Sequence, residues 1–132
     1  GYLAAHSPIR TPDDLTGQSF AGYGEELLFS PALDYLGELG IPRRAVRVQN
    51  SSIQAQKAAV ASGLCLGVLP AFVAESEPGL VRILPQEMSL SRTYWLVTRR
   101  DQARTSRILH LCNLLKRSVE EKEARSVFLP PV

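Results

Sequence analysis

The sequence predicts an α/β domain built on a parallel sheet, and three observations carry that prediction. Between residues 18 and 69 the segments alternate strand, helix, strand, helix, strand, an order that favours right-handed crossovers over one sheet. Residues 64–69 are apolar except for Gly67, as expected of a strand covered on both faces. A length of 132 residues with ordinary globular composition makes one domain. Such a domain buries roughly two-thirds of its unfolded surface.

In chain order, residues 2–5 read as the tail of a short helix. Thr11-Pro12-Asp13-Asp14-Leu15 reads as a capping threonine, an N1 proline and a single acidic turn. After the turn at Gly17, residues 18–23 form a short strand that Gly24-Glu25-Glu26 interrupts. Ser30-Pro31 then starts a helix with a cap and an N1 proline. Ala32, Leu33, Leu36 and Leu39 give it a buried stripe, Asp34 and Glu38 face water, and Gly40 and Pro42 stop it. Residues 45–49 are a strand leading directly into the next helix. There Ser51 is the expected N-cap and Gln54 completes a capping-box pattern. That helix is narrow: Ala55, Ala58, Ala59 and Ala61 let it lie close to the sheet, with Ile53 and Val60 as its larger anchors. Gly63 suits the left-handed residue just past its end. Beyond Pro70, residues 71–79 form a turn region, and residues 80–84 and 94–98 are further strands. Residues 104–119 make the strongest helix, with Ile108, Leu111, Cys112, Leu115 and Val119 on one face. Residues 120–132 are charged and end in Pro130-Pro131, so a disordered tail is expected.

The formal charge of +2 is unevenly placed. Residues 1–42 carry one Arg and six acids, net −5, while residues 43–132 carry fourteen basic and seven acidic residues, net +7. Arg43, Arg44, Arg47, Arg99, Arg100, Arg104 and Arg107 are spread over several elements without interleaved aromatics. That pattern predicts a solvated surface rather than a nucleic-acid face. Cys65 and Cys112 both sit in apolar runs, as small buried hydrophobes do, and two isolated cysteines fit a reducing cytosol. No run approaches a membrane span, and no charged segment followed by an apolar core opens the chain. A cytoplasmic protein with no membrane partner is expected.

An enzyme needs a constellation, and none can be assembled. There is no G-x-S-x-G elbow, H-E-x-x-H, Walker loop or G-x-G-x-x-G. His6 and His110 lie far apart and lack a third metal ligand at suitable spacing. Cys65, mid-strand in LCLGV, has no local base to make it a nucleophile. No catalytic residue, metal or cofactor is therefore expected. Asn50-Ser51-Ser52 is different, because it lies where a strand's carboxyl end meets a helix N-terminus with free amides and partial positive charge. Open α/β sheets bind ligands in the crevice at those strand ends. Ser51 as a plain helix cap explains one of the two serines, so structural and ligand-binding roles both stand for this cluster.

Three stretches together resemble the effector-binding domain of LysR-type transcriptional regulators: YLAAHSPIRTPDDL, AVASGLCLGVLP, and LVRILP followed by YWLVTRRDQARTSRILHLCNLL. The family pattern at the second is A-x-x-A-G-x-G-x-x-x-L-P; here Ser62-Gly63 stands for Ala-Gly, and Cys65 replaces the second glycine. The resemblance implies a type 2 periplasmic-binding-protein-like fold: two α/β lobes joined by crossing strands, with a small-molecule effector between them. Residues 1–119 would be that domain, 1–72 forming most of the second lobe and 80–119 the strand and helix that return to the first. The helix-turn-helix, its linker helix, the first part of lobe one and the first strand of lobe two have no counterpart here. A chain truncated at its N-terminal side is thus expected, touching DNA only through a helix-turn-helix it does not contain. The resemblance further implies side-by-side dimers, and with much of lobe one absent a homo-oligomer is expected. It places the effector against Gly24, Glu25 and Ser30, against Asn50, Ser51 and Ser52, and at Leu69 and Pro70. Those hydroxyls and amides suit a small anion, whereas Glu25 and Glu26 oppose one unless Arg43, Arg44 or Arg47 offsets them. A solute-binding transport receptor shares the fold and is the alternative; an α/β enzyme fragment is a third reading with no motif behind it.

Overall fold

Three short strands, β1 (Phe20–Gly22), β2 (Val46–Gln49) and β3 (Leu66–Gly67), form one parallel sheet in the order β2-β1-β3. The computed structural model from which this is read describes residues 1–28 and 30–123. All three residues of β1 are buried, as a central strand with neighbours on both sides should be. Helices α1 (Tyr2–Ala5), α2 (Tyr35–Glu38), α3 (Ile53–Ala61) and α4 (Ala71–Ala74) alternate with the strands along the chain, and α3 packs on all three strands. The mixed α/β class and the alternation of strand and helix are as the sequence predicts. The chain divides into two compact units, Gly1–Leu90 and Ser91–Val132.

The core of the first unit gathers Tyr2, Leu15, Phe20, Leu36, Ile41, Leu66 and Leu84, with Ile9, Val46, Val68 and Met88 packed against it. Tyr2 also works through its hydroxyl, which donates to Gln18 Oε1 at 2.8 Å and accepts from the Ser19 amide at 3.1 Å. The acidic turn over Pro12–Leu15 forms as expected. Asp14 reaches back to accept from the Arg10 and Thr11 amides, both at 2.8 Å, and these bonds hold its carboxyl below the usual range.

The end of α3 follows the glycine signal closely. Gly63 has φ +78, its amide donates to Val60 O, and Leu64 N reaches back to Ala59 O at 3.3 Å. These two bonds make a Schellman stop, which satisfies carbonyls the helix would leave open. Gly67 serves the packing instead: a Cβ there would lie 2.7 Å from Val60 Cγ2, so its absence lets α3 sit close on β3. Cys65 is 1 % exposed, and burial pushes its thiol up although the Ala21 amide partly opposes this.

Four expectations are corrected. The helix expected from Ser30 to Leu39 is broken into a tight turn, Pro31–Leu33, and the short α2. Asp34 causes the break, because its carboxylate caps a new start by accepting from Gly37 N at 3.1 Å and also takes Arg43 Nη2 at 3.2 Å. The N-cap of α3 is Ser52, not Ser51: Ser52 Oγ accepts from Ala55 N at 3.4 Å, while Ser51 is exposed. Asn50 shifts the cap by one residue, since its Oδ1 takes the Ser52 amide at 2.7 Å. Residues 80–84 are not a strand. Leu84 is buried with φ +48, and its carbonyl closes a turn by accepting from Met88 N at 2.8 Å. A left-handed leucine is strained and cannot continue a pleat.

The fourth correction lies in the second unit. Residues 94–98 are irregular rather than a strand, since no strand among the described residues pairs with them. A turn through residues 100–104 follows, held by Gln102 N to Arg99 O and by the Arg99–Asp101 ion pair at 2.8 Å. Helix α5 (Ser106–Glu123) is the expected long helix, running beyond residue 119. The remainder of the expected tail, residues 124–132, lies outside the described residues.

Candidate functional site

Parallel strands all end at the same edge of a sheet, and that geometry sets the candidate site. The segments leaving β1, β2 and β3 at their carboxyl ends contain Gly24 to Ser30, Asn50 to Ser52, and Leu69-Pro70. All eight residues singled out from the sequence therefore follow one edge. Phe29, within the first segment, lies outside the described residues.

The β2 exit is the most highly organised of the three. Asn50 N donates to Gly22 O at 2.9 Å, which ties the loop to the central strand. Asn50 O accepts from Gln56 Nε2 at 2.7 Å, which ties it to α3. Gln56 is 2 % exposed, the most buried polar side chain in the first unit. Sequence reading overlooked it in favour of Ile53 and Val60, which are half-buried. The signal was available in the spacing, because positions 53, 56 and 60 share one helical face. With Ser52 N, Ala55 N and Gln56 N all engaged, the amides of Ile53 and Gln54 have no hydrogen-bond partner among the described residues. They are left at the positive end of α3, beside the exposed Ser51.

The other two exits contribute less. Gly24 is buried and begins the tight turn Glu25–Leu27, on which Glu25 is exposed. Ser30 is spent on local structure, its Oγ accepting from Ala32 N at 3.4 Å. Leu69 and Pro70 are half-buried, and Pro70 O opens α4 by accepting from Val73 N and Ala74 N. Arg43 is held by Asp34, so it is engaged elsewhere than with Glu25 or Glu26. A cavity of about 20 Å³ lies by the end of β1, lined in part by Tyr23, Asp34, Tyr35, Arg43 and Gln56. It has room for about one water and none of the eight residues lines it. Among the described residues no group of His, Cys, Asp and Glu could hold a metal ion.

Comparison with protein families gives a match to the model of the LysR substrate binding domain over residues 1–120. The chain belongs to the LysR substrate-binding domain family. Domains of this family are periplasmic-binding-protein-like and serve transcriptional regulators, binding small-molecule effectors rather than catalysing reactions. The transport-receptor alternative is not favoured. Comparison with curated proteins and with solved structures gives no significant match in either. Within this LysR-family domain, no helix among the described residues is long and apolar enough to cross a membrane.

Proposed function

We propose that this chain is the effector-sensing part of a cytoplasmic LysR-type regulator, and that it holds a small organic anion at the carboxyl edge of its sheet. Residues 1–72 act as most of the second lobe of the clamp, and the segment from residue 80 to 119 returns to the first. The observation that carries the reading is the β2 exit: two amides without partners among the described residues and the Ser51 hydroxyl, on a loop fixed to both β1 and α3. A carboxylate placed there accepts from Ile53 N and Gln54 N and is favoured by the helix dipole. Gly24, Glu25, Ser30, Asn50, Ser52, Leu69 and Pro70 form the rim around it. Glu25 and Glu26 make that rim selective, because a dianion meets more repulsion there than a monoanion does. DNA contact belongs to a helix-turn-helix outside these residues, and the chain associates with copies of itself.

The test deletes one amide without breaking the helix. Proline is tolerated at the first helical position, and Ser52 already has the extended backbone that proline requires before it. A panel of small mono- and dicarboxylates is screened by thermal shift, and the best acid is titrated against wild type, Ile53→Ala and Ile53→Pro. The alanine variant accounts for lost packing. Ile53→Pro should bind roughly tenfold more weakly than Ile53→Ala, in line with a lost charge-assisted hydrogen bond. Equal affinity of the two variants would place the anion elsewhere.

A further inference from the structure

The cavity beside the end of β1 lies wholly within the unit Gly1–Leu90, and the carboxylate site described above leaves it unused. One polar side chain in its lining, Gln56, is only 2 % exposed. Asn50 O accepts from Gln56 Nε2 at 2.7 Å, which fixes the carboxamide and leaves Oε1 as an acceptor. That oxygen has no hydrogen-bond partner among the described residues. No fully enclosed side-chain oxygen or nitrogen among those residues lacks a partner. Gln56 Oε1 therefore reaches open space, which the cavity supplies.

Two aromatic rings line the same cavity, Tyr23 and Tyr35, with centroids 6.1 Å apart and planes tilted by 60°. Its charged lining groups, Asp34 and Arg43, are paired with each other at 3.2 Å. Glu25 and Glu26 stand on the β1 exit between Tyr23 and Leu28, both of which line the cavity. An acceptor, two π faces and a surplus of acid favour a cation over an anion. At about 20 Å³ the cavity admits one compact group the size of a water molecule.

We propose that the acid held at the β2 exit is an α-amino acid, with its ammonium group seated in this cavity against Gln56 Oε1 and the two tyrosines. Its carboxylate lies on Ile53 N and Gln54 N, so the inference rests on the anion site proposed above. The two subsites adjoin at one helix end. Ile53 and Gln56 share a face of α3 one turn apart, and helical side chains lean towards the N-terminus, which brings the Gln56 carboxamide back to Asn50. Asn50 N in turn donates to the carbonyl of Gly22, a lining residue, at 2.9 Å. An α-ammonium stands on the carbon next to the carboxylate, which suits adjoining subsites. It also removes the conflict between Glu25 and Glu26 and an acidic ligand, because a zwitterion offers those acids a positive group. A 2-hydroxy acid gives Gln56 a donor but brings no charge to the acids or the rings, so it fits less well.

The experiment screens the full 132-residue chain at neutral pH by thermal shift. The probes are the standard L-amino acids with their 2-hydroxy and deaminated counterparts, such as alanine, lactate and propanoate. The best series is then titrated by calorimetry against wild type, Gln56→Met and Tyr23→Leu, with circular dichroism checking each fold. On wild type the amino acid should bind at least roughly tenfold more tightly than its deaminated counterpart, as expected of a hydrogen bond to a charged group. Gln56→Met should reduce that ratio to about threefold or less. Tyr23→Leu should lower it about threefold, in line with a lost cation–π contact. The ratio compares two ligands on one variant, so a general loss of stability does not move it. A deaminated or hydroxy acid that binds as tightly as the amino acid would overturn the ammonium pocket and leave the carboxylate site standing. A ratio unchanged in Gln56→Met would overturn the pocket too, and if that variant fails to fold, Tyr23→Leu decides in the same way. Binding by none of the acids would overturn the carboxylate site itself, and the pocket with it.

Discussion

Gln56 joins the candidate loop to the helix behind it. Its Nε2 donates to Asn50 O at 2.7 Å from a position only 2 % exposed, so the bond is sheltered from competing water. Gln56→Met keeps much of the volume but leaves Asn50 O without that donor, and should cost about 1–3 kcal/mol. Gln56→Glu tests the direction of the bond. At neutral pH it sets a carboxylate against a carbonyl oxygen, and it should be less stable than the methionine variant. Burial and the facing oxygen raise the folded-state pKa of that glutamate. Its penalty is therefore full above the folded pKa and fades as pH falls towards the unfolded value, where the protonated carboxyl can donate to Asn50 O. Urea midpoints measured at several pH values separate these outcomes. A glutamate variant as stable as wild type at neutral pH would mean that the Gln56 bond contributes nothing. The spacing 53, 56, 60 is the only sequence signal for this residue, and an alanine-rich helix with two larger anchors hides it.

Helix ends were legible in the sequence to the extent that they are set by local chemistry. Gly63 reads as a stop because few other residues tolerate its conformation, and at φ +78 it stops α3. The start of the same helix was misread by one residue, since Asn50 and Ser52 together outcompete Ser51 for the cap through an Asn side chain bonded two residues on. Strands were less legible, because a strand depends on its neighbours. Residues 94–98 have the composition of a strand but no ladder among the described residues, and residues 80–84 yield to the turn at Leu84. The expected mutational order follows from the caps. Gly63→Ala meets both an unfavourable φ and the Tyr2 amide 3.0 Å from the new Cβ, and should cost about 1–2 kcal/mol or more. Ser52→Ala should cost about 1 kcal/mol. Ser51→Ala should lie within about 0.5 kcal/mol of wild type. Thermal unfolding of the three variants checks the order, and a Ser51 effect larger than that of Ser52 would return the cap to the residue first read.

At the scale of the whole chain, charge and helix arrangement decide how it meets DNA. A helix-turn-helix needs two consecutive helices joined by a short turn, the second long enough to lie in the major groove. Helix α3 has nine residues but leads through a glycine stop into β3, and the 18-residue α5 lies in the other compact unit. No recognition pair exists among the described residues. The positive charge of residues 43–132 is divided in the same way: Arg43, Arg44 and Arg47 sit at and before β2, whereas Arg100, Arg104 and Arg107 sit at and before α5. Two of the arginines are further engaged, Arg43 by Asp34 and Arg99 by Asp101. Scattered cations of this kind attract a duplex without choosing a sequence, because phosphate contacts carry no base information. The 132-residue chain should therefore bind DNA no more tightly than about 10⁻⁶ M at physiological salt. Its affinity should fall steeply as salt rises, and operator and scrambled duplexes should bind equally. Fluorescence anisotropy with both duplexes at two salt concentrations measures this. Nanomolar binding that distinguishes the duplexes and survives the higher salt would require a base-reading surface within this chain, and would sink the assignment of DNA contact to a separate domain.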